Sequence, residues 1–272
     1  MKQNQQEIIV PPVGKIDAKT QQQIERLQRH CIVELEAVQQ FHSWLDDKRQ
    51  CRQACRVIGD SRTGKTFACD AYRLKYASVQ ANGDAPIVPV IYWHATTETG
   101  QRELFVGLLE NLKYRVTNGT ISELRERVYR LLKICQVEII ILDEAHRFRP
   151  KTFSEIRDVF DLLGISVVLV GTDRLDAVVR RDEQVHNRFM ACHRFHRFNS
   201  QALEDTTAIW EEYVLKLPQP SNLTSAPMQK ILGATTRGYL GALDEILRNA
   251  ARRALMLLRT MGANAIAFIV DS

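Results

Sequence analysis

The chain has 272 residues, 45% of them hydrophobic and 25% charged, and its 37 Lys and Arg outnumber 32 Asp and Glu, for a net charge of +5 and a pI of about 8.9. That is enough chain for one large core and a smaller second unit. The mild basic excess permits a polyanionic partner without requiring one, and no uninterrupted apolar run approaches a membrane span.

Residues 1 to about 19 are polar and glutamine-rich, carry Pro11 and Pro12, and hold no apolar core of the kind a secretory signal needs. They read as a flexible lead-in. "TQQQIERLQRH", from Thr20, and "ELEAVQQFHSWLDDKRQ", with Leu35, Val38, Phe41 and Leu45 at helical spacing, predict two helices. Strand-like and helical runs then alternate: "CRVIG" before "FACDAYRLKYA", "PIVPVIYW" before "ELFVGLLENLKYR", "VEIIILDE" before "FSEIRDVFDLLG", "ISVVLVGT" before "RLDAVVRR", and last "ACHRFHRF". Solidly apolar strands in this alternation predict an α/β fold, a five-stranded parallel sheet sandwiched by helices. Past Phe198 the β signal stops. "EDTTAIWEEYVLKL", "PMQKILGAT" and "GALDEILRNAARRALMLLR" predict a small helical lid, interrupted by "PQPSN" at 218–222 and by Gly238 and Gly241.

The six cysteines, Cys31, Cys51, Cys55, Cys69, Cys135 and Cys192, form no C-x-x-C pair. This argues against a zinc site or a disulfide framework and for a cytoplasmic chain with reduced thiols. Cys192, His193 and His196 fit no common zinc spacing, and strand alternation accounts for them.

The chemistry starts at Gly59, Asp60, Ser61, Arg62, Thr63, Gly64, Lys65 and Thr66, "GDSRTGKT", which fits G-x-x-x-x-G-K-[ST] at every fixed position and sits between a strand and a helix. Such a turn aims backbone N–H groups and a helix N-terminus at one point, where a polyphosphate can settle. Lys65 can reach the β- and γ-phosphates, and the Thr66 hydroxyl can hold Mg2+. These eight residues, with Val33 upstream, make up the expected ATP-binding set.

Hydrolysis also needs a carboxylate near the metal and a base for the water. "EIIILDEAHRF" places Asp143 and Glu144 at the C-terminal edge of a buried strand, where open α/β sheets bind ligands. Asp143 is the expected second Mg2+ ligand and Glu144 the base. Thr172, ending "ISVVLVGT", is a candidate for holding the water or the γ-phosphate, or else a helix cap with Asp173. Arg188, in "RRDEQVHNRF", is the first candidate for an arginine finger acting on a neighbouring subunit, ahead of Arg180 and Arg181; a solvated face is the alternative for each.

Together the loop, "ILDE", the polar-tipped fourth strand, the arginine-bearing helix and the lid resemble an AAA+ P-loop NTPase. More closely, "CRVIGDSRTGKT", "IILDEAHRFRP", "VVLVGTDRLDAVVRRDEQV" and "GYLGALDEILRNAA" resemble the TnsC/TniB-type transposition regulators, particularly those of CRISPR-associated Tn7-like elements, from about Ile32 to Ala251. The resemblance implies an ATPase that assembles into rings or helical filaments on double-stranded DNA and links a TniQ-type targeting protein to the transposase. In that picture hydrolysis takes the assembly apart. The implied domains are a lead-in at 1–30, an AAA+ domain at 31–198 and a lid at 199–272. One departure is plain: where an AAA+ lid carries a sensor arginine in "GYxGR", this chain has Ala242, with Arg237 and Arg248 as substitutes to consider. The end, "TMGANAIAFIVDS", is more apolar than the charged helix the family implies, and reads as a lid core element or a docking tail.

DNA held without sequence preference needs phosphate contacts. Arg102, starting a helix after Gly100, and Thr120, in a turn near Lys113, Arg115 and Asn118, are the candidates, and both loops match by position those that meet DNA in the family. For Thr120 the plainer reading is a helix N-cap, since T-x-x-E to Glu123 is a capping box. Three other functions stay open on the residues: a helicase-loader type of AAA+ ATPase, a small-molecule P-loop kinase, and a scaffold that holds ATP without turning it over.

Overall fold

Three strands are buried on both faces because helices cover both. In the computed structural model, which describes residues 18–29, 33–80, 85–115, 118–217, 219 and 221–261, β1 (Cys55–Gly59), β3 (Ile139–Asp143) and β4 (Ser166–Gly171) are buried at every residue. With β2 (Val90–His94) and β5 (Ala191–Phe195) they form one parallel sheet in the order β2-β3-β4-β1-β5. β5, at the edge, alternates half-buried and exposed residues and is shorter than the "ACHRFHRF" run. Beyond it, Phe198 donates its N–H to Gly238 O and the Arg197 side chain turns to Asp60.

Alternate strand residues feed two cores. Ile140, Leu142, Val167 and Leu169 face α4 (Gln101–Asn111), α5 (Ile121–Ile134) and α6 (Pro150–Leu163), with α7 (Asp173–Val179) and α8 (Glu183–Arg188) beside them. Ile139, Ile141, Val168 and Val170 face α2 (Glu36–Gln50) and α3 (Lys65–Lys75). Phe41, Leu45 and Tyr72 fill that second core, and Phe41 also rests edge-on against Phe195. A parallel sheet covered in this way carries its ligands at the carboxyl edge.

After β5 the chain is helical among the described residues: α9 (Ser200–Ile209) runs into a π-helical turn (Trp210–Leu215), followed by α10 (Ala226–Thr236) and α11 (Leu240–Met261). The lead-in's helical part, α1 (Ala18–Gln28), docks on α11 with Ile24 and Leu27 buried, while Arg26 donates to Val214 O at 2.8 Å. The glutamine-rich start, Cys31 and the apolar end at 262–272 lie outside the described residues. Among those described, no helix is long and apolar enough to cross a membrane.

Candidate active site

β1 ends at Gly59 against the neighbouring strand, so closely that a Cβ there would lie 2.5 Å from Phe195 O. The turn then passes Gly64 at φ +97°, a left-handed conformation that favours glycine, and α3 starts at Lys65. Lys65 is buried, and its ammonium donates to Gly59 O at 2.8 Å and Asp60 O at 2.6 Å, which holds it along the loop. Burial lowers its pKa, opposed by the carboxylates of Asp143, Glu144 and Asp60. Thr63, also buried, ties the loop to itself through Asp60 O.

Thr66 and Asp143 meet. The Thr66 hydroxyl donates to Asp143 Oδ2 at 2.7 Å, the Tyr92 hydroxyl donates to the same oxygen at 2.8 Å, and the Glu144 N–H donates to Oδ1 at 2.8 Å. Asp143 is fully buried, and His94 Nδ1 stands 3.6 Å from it. A hydroxyl and a carboxylate this close, at the mouth of a phosphate-shaped turn, form the hard-oxygen donor set that suits Mg2+. The residues therefore fit the metal that the sequence implies.

Glu144 follows in a left-handed conformation, φ 56° and ψ 33°, unusual for a residue with a side chain. Its carboxylate lies 3.2 Å from Arg147 Nη2 and 3.5 Å from His146 Nε2. Thr172 occupies the N-cap position of α7, yet its side chain makes no capping bond, and its buried Oγ1 has no hydrogen-bond partner. It lines a cleft with Asp60, Ser61, Glu144, His146, Arg147 and Arg174. A buried hydroxyl left unpaired is costly and suits a site that receives a ligand.

The lid reaches the loop by contacts that no motif predicts. Arg197 donates twice to Asp60 Oδ2, at 2.9 and 2.7 Å, Tyr239 donates to the same oxygen at 3.2 Å, and these bonds, Arg197 first, hold the Asp60 carboxyl below its usual pKa. Gly241 donates its N–H to Arg62 O at 2.9 Å, and Arg62 pairs with Glu245. The lid thus touches the loop one residue before Ala242 and again at Glu245. Of the two arginines considered for the sensor position, Arg248 bonds Asp244 and the carbonyls of Leu27 and Arg29, and Arg237 stands at the C-cap of α10 in a left-handed conformation. The acid inside the phosphate loop, Asp60, is a sequence feature that calls for a cation nearby, and Arg197 supplies it. Val33 is half-buried beside the second core, next to α2.

The remaining candidates fall in two places. Arg188 ends α8 and donates to both oxygens of Asp161 at 2.8 Å, on a surface that also exposes Leu162 and Met190; Arg180 pairs with Asp176. Arg102 and Thr120 come together at the start of α4 and α5, where Arg102 Nη1 donates to Gly119 O at 2.7 Å. Thr120 is a helix cap: it accepts from Glu123 N–H, and Glu123 in turn accepts from Thr120 N–H. His193, from the run weighed for zinc, packs among Phe41, Trp44 and Phe195.

The family model described as "Bacterial TniB protein" matches residues 19–199. The chain belongs to the TniB family. No curated protein matches it. Among solved structures, the TniB chain is similar to Cdc6p from Pyrobaculum aerophilum (15% identity, TM-score 0.63, covering 85% of this chain and 65% of that one). It is also similar to the Aeropyrum pernix Orc1 protein in complex with DNA (18%, TM-score 0.62, 91% and 68%). A third likeness is to the Aeropyrum pernix Orc2 protein in ADPNP–ADP complexes (13%, TM-score 0.62, 98% and 69%). At these identities the likeness is one of fold, and it confirms the AAA+ architecture. The TniB chain spans just under two thirds of the Pyrobaculum chain's own length.

Proposed function

We propose that this protein is an ATP-dependent regulator of DNA transposition that assembles on double-stranded DNA as a ring or helical filament, links a TniQ-type targeting protein to the transposase, and is taken apart by its own ATP hydrolysis. The observation that carries the reading is the meeting of Thr66 and Asp143 at 2.7 Å beside a buried Lys65, in a chain of the TniB family. It would act in the cytoplasm. The division at 198/199 into a nucleotide domain and a lid, with 1–30 as lead-in, belongs to the same reading.

In this reading the N–H groups from Gly59 to Thr66 cradle the phosphates and Val33 borders the nucleotide. Lys65 reaches the β- and γ-oxygens. Thr66 and Asp143 would hold Mg2+, which would supply positive charge to offset that of the phosphates. Glu144 takes a proton from water as the water oxygen bonds to the γ-phosphorus; the bond to the β–γ bridging oxygen breaks, and ADP leaves with that electron pair. Thr172 steadies the water, and a neighbour's Arg188 meets the charge that develops on the phosphoryl group.

Arg188 is exposed enough to leave Asp161 and sits on an edge with exposed apolar residues, which favours an interface there. Action in trans has a direct test. Arg188→Ala and Glu144→Gln should each be nearly inactive alone, while a one-to-one mixture should recover up to roughly a quarter of wild-type hydrolysis, the share of interfaces holding both intact groups. No recovery on mixing would remove Arg188 from the neighbour's site.

DNA binding is supported by Arg102 beside Thr120 on adjacent helix N-termini, and by the similarity to a structure solved in complex with DNA. The double variant Arg102→Ala with Thr120→Ala is expected to weaken binding to plain duplex about tenfold or more and to flatten its salt dependence, leaving nucleotide binding unchanged. The lost cap should lower stability by about 1 kcal/mol. Titration of a labelled duplex at several salt concentrations reads this, and wild-type affinity and slope would take these loops out of the DNA-binding surface.

A further inference from the structure

Asp60 is an acid inside a loop that is shaped for phosphate. It lines the same cleft as Glu144 and Thr172, and its carboxylate is near enough to the Lys65 ammonium to act on it. A negative charge there opposes a polyphosphate, so it has to be covered. Arg197 covers it, donating from Nε and Nη2 to Asp60 Oδ2 at 2.9 and 2.7 Å. The same guanidinium lies over the Tyr239 ring, 4.4 Å from its centroid, and the Tyr239 hydroxyl donates to Asp60 Oδ2 at 3.2 Å.

Three segments meet at this carboxylate: the loop, the exit of β5 and the entry to α11. Phe198 donates its N–H to Gly238 O at 2.8 Å, which binds the chain around Arg197 to the chain around Tyr239. At the far side of the loop, Gly241 donates its N–H to Arg62 O at 2.9 Å, and Arg62 pairs with Glu245. Leu240 rests on Gly64, where a Cβ would lie 2.8 Å from Leu240 Cδ2. Residues 238–241 thus touch the loop from Asp60 to Gly64, although the next residue, Ala242, has no side chain to reach it. Close-packed contacts of this kind move together. If 238–241 leaves the loop, Arg197 and Tyr239 leave Asp60.

We propose that Arg197 is a positioning residue for nucleotide retention: it covers the Asp60 carboxylate while the lid is seated, and lifting of residues 238–241 uncovers a charge that expels the nucleotide. With the lid seated, the loop N–H groups and Lys65 act on the phosphates unopposed. With it lifted, Asp60 competes for Lys65 and repels the phosphates, and ADP leaves. The pair is about half exposed, 51% for Arg197 and 41% for Asp60, so the effect is moderate and weakens with salt. This rests on the reading above, in which Gly59–Thr66 holds the nucleotide.

The test is stopped-flow release of a fluorescent ADP analogue from the full chain, chased with excess ADP, at low and high salt. Arg197→Ala is expected to release the analogue about fivefold faster than wild type at low salt, with the difference shrinking at high salt. Arg197→Lys should keep part of the wild-type retention, since a cation remains. Asp60→Asn should slow release about twofold, and adding it to Arg197→Ala should bring release back to within about twofold of wild type. Release as fast in the double variant as in Arg197→Ala overturns the proposal, because lost packing on Tyr239 would then be the cause. Wild-type release in Arg197→Ala overturns it as well. Failure of the underlying reading shows differently: a wild type that does not bind the analogue, or a Lys65→Ala variant that binds it as tightly as wild type, overturns both.

Discussion

Lys65→Ala is expected to lower ATP affinity at least roughly a hundredfold and to abolish hydrolysis and nucleotide-dependent assembly on DNA, with the fold intact. The ammonium is buried at the start of α3 and donates to two loop carbonyls at 2.8 and 2.6 Å, so it is already desolvated and held within reach of the phosphates. Charge-assisted hydrogen bonds of this kind contribute about 1.5–3 kcal/mol each, and losing two of them to the β- and γ-oxygens corresponds to roughly 10²-fold or more in Kd. The fold should survive, because α3 is anchored in the second core by Ala68, Cys69 and Tyr72 rather than by Lys65. Titration of a fluorescent ATP analogue, alongside circular dichroism on the same sample, reads both halves. Wild-type affinity in a folded variant would mean that the phosphates bind elsewhere.

Glu144→Gln should separate binding from turnover. Its carboxylate, 3.2 Å from Arg147 Nη2, is the acid at the sheet edge that makes no bond to Thr66, and the proposed reading gives it the proton of the water and gives Asp143 the metal. The amide is isosteric but cannot accept the proton, and hydrolysis is expected to fall about 10²–10⁴-fold with ATP affinity within about threefold of wild type. Assemblies on DNA should then persist in ATP, where the wild type disassembles. Rapid quench of single turnovers gives the chemical step directly. A variant that hydrolyses at the wild-type rate would return Glu144 to a structural role, and one that supports transposition as well as wild type would favour the ATP-holding scaffold.

Much of this was legible in the sequence. Largely apolar runs announce a parallel sheet because burial on both faces favours them, and β1, β3 and β4 are buried throughout. The loop at Gly59–Thr66 and the acids at Asp143 and Glu144 were legible because phosphate and metal chemistry fixes both residue type and spacing. What joins distant segments was not. Arg56, a buried arginine inside "CRVIG", donates to Phe189 O and pairs with Asp176 at 2.7 Å, and nothing in its own strand signals either partner. The ties from Asp60 to Arg197 and Tyr239, and from Arg62 to Glu245, span more than 130 residues and follow from how the lid sits on the loop. Thr172 looked as fit to cap a helix as to face a ligand, and only its unpaired, buried hydroxyl separates the two.

The central claim is that a triphosphate in the Lys65 site switches assembly on DNA. Electron microscopy of the purified wild type on plain duplex, with ATP, a slowly hydrolysed analogue, ADP or no nucleotide, tests it most directly. Continuous protein on the DNA with ATP or the analogue, and bare DNA with ADP or none, is the predicted result. Bare DNA in all four states, or equal coating without nucleotide, would contradict it.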